Sequence, residues 1–386
     1  AAETEREAVM SKIKGNRRRG SKATWFLFAC NATFAAFLLR AQYNTGAGAP
    51  CTNNNSRSII VNPKVGDTTQ SNNAGEDPFA LARNQSFGFF DDITNEHWRL
   101  WQKLYLEHQN HRYPDKPLTF HPDATADQAV PEIYRSRNNH AGWSSTTAWY
   151  QNNYEPNFSC PFEMRVGDPM NGDGPKWVCD PHRIKKLAEA RKEADPDHPG
   201  CVIYSIGSSG DFSFEMGMQN AVGEGVCEFH IFDMGNFAHM VPPELKRAYY
   251  HKWGLEKQKP RKTSFLGKMG PPPPGKEFYG LLDTVELLGH EQLDVIDVFK
   301  IDCESCEWDT YKDWLSDKVP LLHQIQVELH KAPVKKDAGA IDLFDSLERA
   351  GYLRFHKEPN IQWGPDCLEY AFVKVEKVFT EGKILA

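Results

Sequence analysis

Apolar and polar positions alternate in two rhythms along this chain, and the change between them sets out its organisation. From residue 201 onward, short β-branched apolar runs recur, each followed by a stretch with helical spacing. The runs Cys201–Ile206, Cys227–Asp233, Asp294–Asp302 and Leu321–His330 predict buried strands. Helical spacing follows at 212–218, 281–290, 307–315 and 341–351, the last closing on Gly351. Tyr249–Leu255 predicts a short strand and turn. Tyr352–Lys357 and Leu368–Val375 predict a final antiparallel pair. Strands and helices in alternation mean an α/β fold, with a mostly parallel sheet covered by helices on both faces.

The first part of the chain reads differently. Residues 91–113 predict an amphipathic helix whose apolar face carries Ile93, Trp98, Trp101, Leu104, Tyr105 and His108, with Thr94 or Asp92 as cap. Residues 114–157 are irregular. Cys160 and Cys179 bracket a Gly/Asp-rich turn. A disulfide there would close a hairpin and contribute about 3 kcal/mol in the chain-entropy model. A zinc site would need two more ligands, and none is near in sequence. A polar helix begins at Arg183.

Residues 23–39 carry no charge and follow Lys12, Lys14, Arg17, Arg18, Arg19 and Lys22. This pattern predicts a signal-anchor transmembrane helix with a basic cytoplasmic tail at 1–22. A cleaved signal peptide is the alternative. Residues 40–90, rich in Asn, Gly, Ser and Thr, predict a disordered stem. A helical and irregular subdomain (91–159) and the α/β domain (160–379) complete the layout. It is that of a single-pass type II membrane protein of the Golgi or endoplasmic reticulum with its main domain in the lumen. Asn54, Asn84 and Asn157 begin glycosylation sequons on that side. The net charge of −7 argues against a nucleic-acid partner.

Candidate chemistry gathers at the carboxyl ends of the predicted strands. Gly207-Ser-Ser-Gly210 permits a tight turn and close approach of a ligand. Asp233, 26 positions after Gly207, ends the next strand and is placed to accept ribose hydroxyls. Asp302 with Glu304, and Glu328 with His330, end the following two. Glycines and acids suit a ligand with hydroxyls and a cationic centre. They do not suit a polyphosphate, because no Gly-x4-Gly-Lys-Ser/Thr loop accompanies them.

Several of these segments together resemble a known family. They are Val178-Cys-Asp180, Ser205-Ile-Gly-Ser-Ser-Gly-Asp-Phe-Ser-Phe-Glu215, Ile231-Phe-Asp233, Leu288-Gly-His290, Phe299-Lys-Ile-Asp-Cys-Glu-Ser-Cys-Glu-Trp308, Val327-Glu-Leu-His330 and Glu369-Tyr-Ala-Phe-Val373. From Cys160 to Val375 the chain resembles class I S-adenosylmethionine-dependent methyltransferases, and within them the secretory-pathway, methyltransferase-like branch related to the FkbM type. The resemblance implies a Rossmann-like seven-stranded sheet with an antiparallel last strand, and S-adenosyl-L-methionine as cofactor. It implies that Gly207, Ser208 and Gly210 approach the methionine and ribose parts and that Asp233 holds the ribose. Asp302 would then face the methionine amino group or the reacting centre. No metal is implied. The chain departs from the family pattern at Cys303, Ser305 and Cys306, and at Ser205, where an acid is usual. Cys303 and Cys306 have the spacing of a local disulfide or redox pair, and packing thiols are the preferred reading.

Methyl transfer to a hydroxyl or carboxylate of a small molecule or glycan is the expected reaction. Asp302, Glu304, Glu328 and His330 are the candidate catalytic groups. A membrane-anchored glycosyltransferase shares the anchor-and-stem layout, but its metal-binding Asp-x-Asp would have to be Asp195-Pro-Asp197, ahead of the first core strand. A non-catalytic binding protein on a methyltransferase scaffold is the third reading.

Overall fold

In the computed structural model, residues 77–112, 154–261, 274–330, 339–360 and 367–381 are described. The expected anchor, most of the stem and the irregular stretch up to residue 153 lie outside them. Among the described residues no helix is long and apolar enough to cross a membrane.

The elements run α1 (Ala80–Gln85), α2 (Asn95–Arg112), β1 (Glu163–Val166), β2 (Lys176–Cys179), α3 (Pro181–Ala194), β3 (Cys201–Ile206), α4 (Ser213–Val222), β4 (Cys227–Phe232), β5 (Ala248–His251), β6 (Gly254–Leu255), β7 (Phe278–Tyr279), α5 (Leu281–Leu287), β8 (Val295–Ile301), α6 (Glu307–Thr310), β9 (Leu321–His330), α7 (Gly339–Arg349), β10 (Tyr352–Pro359), β11 (Cys367–Lys374) and α8 (Lys377–Thr380). Seven strands form the main sheet in the order β10-β11-β9-β8-β3-β4-β5. From β9 to β5 the pairings are all parallel. β11 inserts antiparallel between β9 and β10. This is the expected Rossmann-like architecture with its antiparallel last strand. The chain winds outward from β3 in one direction and from β8 in the other. These two neighbours therefore bound the crevice where such sheets place a ligand.

The pleat of β3 divides the core between the two faces. Ile203 packs with Trp98, Phe90, Ile184 and Met218 on one side. Val202, Tyr204 and Ile206 pack with Val285, Trp314, Phe344 and Leu347 on the other. A strand buried on both faces reads as a continuous apolar run, which is why β3, β8 and β9 were legible.

The predicted stem ends earlier than residue 90. Phe89 and Phe90 are buried, with Phe89 edge-on to His323 at 4.5 Å and Phe90 against Trp98 at 5.7 Å. Burying two aromatic rings outweighs the disorder that the polar composition around them favours. The α2 cap is Thr94, whose Oγ1 accepts the His97 N–H at 3.2 Å. Asp92 pairs instead with Arg183. Leu104, expected on the apolar face, is 52% exposed. Asn157 is a structural residue: its Oδ1 accepts the Arg354 N–H at 2.9 Å. A glycan there would be carried on Nδ2, which faces the buried Glu348 Oε1 at 3.4 Å, whereas Asn84 is exposed and the freer sequon among the described residues.

The expected Cys160–Cys179 disulfide forms and ties β1–β2 to the segment before it. Two further disulfides depart from expectation. Cys303 and Cys306 are bonded to each other rather than packing as thiols. Cys201 and Cys227 are bonded across the β3–β4 pair, where the parallel register sets them side by side. Cys367 is a buried free thiol whose pKa burial pushes up to about 12, so it is inert at neutral pH.

The Cys201–Cys227 bond closes a loop with a sequence separation of 26. The double substitution Cys201→Ala/Cys227→Ala should lower unfolding stability by about 3 kcal/mol. Urea denaturation under non-reducing conditions measures it, with a smaller loss expected from Cys367→Ala, which trims a buried thiol without opening a loop.

Candidate functional site

Three short features converge on the crevice between β3 and β8. The first is the turn after β3. Gly207 sits at φ +76°, and a Cβ there would lie 1.6 Å from the Asp302 carbonyl oxygen, so only glycine fits. The carbonyl of Gly207 accepts a hydrogen bond from the ammonium of Lys300, on β8. Gly210, at φ +83°, lies under Phe237 and Met240.

The second feature is Asp233, just past β4. Its Oδ2 accepts the N–H groups of Ser208 at 3.0 Å and Ser209 at 2.7 Å, and its Oδ1 accepts that of Gly235 at 2.7 Å. One carboxylate thus organises the glycine turn. Two oxygens offer about four acceptor directions, so Oδ1 keeps capacity for a ligand hydroxyl.

The third feature is a floor of acids around one buried lysine. The β1–β2 hairpin lays Lys176, 1% exposed, over the strand ends. Its Nζ reaches Glu369 at 2.5 Å, Asp302 at 3.3 Å and Glu328 at 3.4 Å. Burial alone would strip its proton; the three carboxylates reverse this and hold it charged. Burial also works against the charge on Asp302, but the Lys176 and Lys300 ammoniums keep its carboxyl well below the usual range. Burial and the Asp302 charge raise the pKa of Glu328. Burial raises that of Glu369 further, against the pull of Lys176. A cation surrounded by carboxylates of unequal proton affinity is how one site keeps one acid ionised and its neighbours poised. Asp173, in the hairpin turn, brings an oxygen within 4.8 Å of those of Asp302 and Glu328, but Lys176 already supplies the cation there.

His330, at the end of β9, completes the cluster. Burial disfavours its charge, yet the hydrogen bond from Nδ1 to Glu307 at 3.1 Å and the nearby acids raise its pKa to about 9. At neutral pH it is an imidazolium, 3.7 Å from Asp302 and 3.8 Å from Glu328. Glu304 stands apart from the floor, 91% exposed and 3.9 Å from His330. Glu304 and Ser305 hold φ +56° and +90° in the turn closed by the Cys303–Cys306 disulfide. Ser305 stands where the family pattern has glycine, and the tethered turn imposes the left-handed conformation on a residue with a Cβ.

The structure therefore brings Asp302, Glu328 and His330 together, sets Glu304 at their rim, and places Gly207, Ser208, Gly210 and Asp233 across the crevice. Sequence reasoning missed Lys176, Lys300, Glu307 and Glu369. The only linear signals were acids or lysines inside otherwise apolar strands, such as Lys300 in β8 and Glu369 in β11. Glu215, on α4, was also missed as a partner of the turn. It is 1% exposed, with the Lys300 ammonium opposing the rise that burial imposes on its pKa. It supplies a buried acid beneath the turn, where the chain has Ser205 in place of the usual one.

Residues 80–374 match a family described as a methyltransferase domain. Over 133 residues the chain is 29% identical to the probable methyltransferase-like protein 24 of Rattus norvegicus. That match covers 34% of this chain and 33% of the relative, so it spans about a third of each. Among solved structures, a fibrillarin pre-rRNA processing protein of Methanococcus jannaschii aligns at a TM-score of 0.31 and 8% identity, over 46% of this chain and 67% of that one. A chain of a fibrillarin/Nop5p complex aligns at 0.27 and 10% identity, over 54% and 92%. Likenesses this distant add nothing about chemistry.

Two outcomes follow from the electrostatics. Lys176→Met should cost about 3–5 kcal/mol of stability, because it leaves buried carboxylates without their cation. Adding Glu369→Gln should recover part of the loss in a thermal or urea unfolding measurement. His330 has a folded pKa above its unfolded one, so its contribution is fully present below pH ~6.5 and is lost as pH rises through about 9. Wild-type stability should fall by up to about 3 kcal/mol more than that of His330→Asn across that window, measured by urea unfolding at successive pH values.

Proposed function

The chain belongs to the methyltransferase-domain family, and we propose that it transfers the methyl group of S-adenosyl-L-methionine to a hydroxyl or carboxylate oxygen of a small-molecule or glycan acceptor. As a member of that family it is an enzyme of the S-adenosylmethionine-dependent methyltransferase class. The observation that carries the finer reading is the crevice at the β3–β8 switch point, where a glycine-only turn held by the Asp233 carboxylate faces an acid-lined floor.

The residues fit the cofactor. Gly207 and Gly210 give the turn its positive-φ backbone, Ser208 stands between them, and Asp233 keeps an acceptor direction on Oδ1 for a ribose hydroxyl. When bound, the cofactor supplies an electrophilic methyl on a sulfonium. Asp302 remains ionised, and its side chain is 18% exposed against 3% for Glu328, so it is the acid of the floor that meets a ligand. A carboxylate held this acidic is a weak base and a strong counter-charge. We assign it to the cationic end of the cofactor and to aligning the acceptor. His330 and Lys176 hold Asp302 in place and set its charge. Glu304, exposed at the rim, is the group that reaches the acceptor, and the buried Glu328, with its raised proton affinity, backs Asp302.

Three disulfides among the described residues support an oxidising compartment, in keeping with a luminal domain behind the anchor expected at 23–39. The anchor, the type II orientation and the acceptor belong to the proposal.

Calorimetry separates this reading from the other two. S-adenosylmethionine should bind, and a UDP-sugar should give no heat. Asp233→Ala should weaken cofactor binding at least tenfold without unfolding the chain. Asp302→Asn should lower turnover by about a hundredfold once an acceptor is in hand. Heat with the UDP-sugar and none with S-adenosylmethionine would overturn the assignment.

A further inference from the structure

On the face of the sheet that carries Tyr204, away from the acid floor, β4 and the turn after α5 assemble a second polar cluster. Glu228 and His230 alternate on β4, so they share a face. His290 reaches them from the turn after α5, and its ring meets that of His230 edge-on at a centroid distance of 4.6 Å. One donor atom each from Glu228, His230 and His290 lies within 4.8 Å of the other two. Ligand atoms around a tetrahedral zinc ion are separated by roughly 3.4 Å, so rotations that draw them in by up to about 1.4 Å complete the geometry. The pair Glu228 Oε2 and His230 Nε2 is already at 3.5 Å.

The surrounding bonds are those of a metal site's outer shell. The Tyr204 hydroxyl contacts His290 Nδ1 at 2.8 Å. His251 Nε2 contacts His230 Nδ1 at 3.0 Å, and the two rings are nearly coplanar. Each ligating ring thus has one nitrogen fixed by a neighbour and one left over, the arrangement that selects the tautomer and holds the ring of a metal-bound histidine. Arg247 Nη2 donates to Glu228 Oε1 at 2.5 Å and leaves Oε2 for the cluster.

We propose that Glu228, His230 and His290 form a binding site for a divalent transition ion, with zinc the fitting one, and that the ion staples the turn after α5 to β4. Two imidazoles and one carboxylate are a ligand set for zinc and similar borderline ions, and a poor one for calcium or magnesium. No group of the proposed methyltransferase site takes part, so this site stands or falls independently of that reading.

The test uses the full chain without a histidine tag, stripped by a chelator and titrated with Co²⁺ and then Zn²⁺. Wild type should develop visible ligand-field absorption with one equivalent of Co²⁺, lose it when Zn²⁺ displaces the cobalt, and melt at a higher temperature with zinc. Glu228→Gln and His290→Ala should each weaken binding at least tenfold, while the exposed His182→Ala leaves it unchanged. S-adenosylmethionine affinity should be the same in the stripped and zinc-loaded protein. Absence of the cobalt spectrum in folded wild-type protein would overturn the proposal, whatever the variants do. So would equal zinc affinity in wild type and His290→Ala.

Discussion

The ammonium of Lys176, packed among Asp302, Glu328 and Glu369, is the interaction on which the functional end of this molecule depends. Three acids at adjoining strand ends would repel one another and resist burial. One cation in their midst lets them lie together out of water. Lys176 comes from the β1–β2 hairpin, and Cys179 on the same strand bonds to Cys160, so a disulfide beside the lysine serves to place its charge. The same hairpin packs Trp177 on His356 at 3.8 Å and sends its Nε1 to Glu358 at 2.5 Å, which secures the hairpin against the β10 edge.

A second constraint is steric. The ends of β3 and β8 approach so closely that Gly207 has no room for a side chain against the Asp302 carbonyl. Lys300 bridges the same gap by bonding the Gly207 carbonyl, and it also faces Glu215 and Asp302. The crevice is thus held by backbone contact on one side and by charge on the other. Strain in the turn at Glu304 and Ser305 is confined by the Cys303–Cys306 bond, which lets the chain leave β8 in a conformation its residues disfavour.

Among the described residues, two of the clusters of ionisable groups inside the sheet are built in opposite ways. At one, a lysine neutralises carboxylates and leaves a single acid facing the crevice. At the other, imidazoles and a glutamate are ordered by tyrosine and histidine partners. β4 carries Glu228 and His230 in its length and leads to Asp233 just past its end, across the crevice from the lysine cluster. Charge burial is tolerated in both because each group has a counter-charge or a hydrogen-bond partner beside it.

The sequence alone determined the order of strands and helices, because strands buried on both faces must be written as apolar runs and their ends as glycine or acid. Gly207, Asp233, Asp302 and His330 were legible for that reason, and so was the antiparallel last strand, through its family resemblance. Cys160 and Cys179 declared their bond by bracketing a turn. Only the tertiary structure decided the rest. Lys176 lies in a short hairpin strand with no periodicity of its own, and its partners are 126 to 193 residues away. Cys201 and Cys227 meet because two parallel strands share a register, which spacing does not encode. Phe89 and Phe90 leave the polar stem because a core face elsewhere in the chain is open to receive them. Linear pattern records what each segment must bury; which charges and thiols become neighbours is settled when the segments pack.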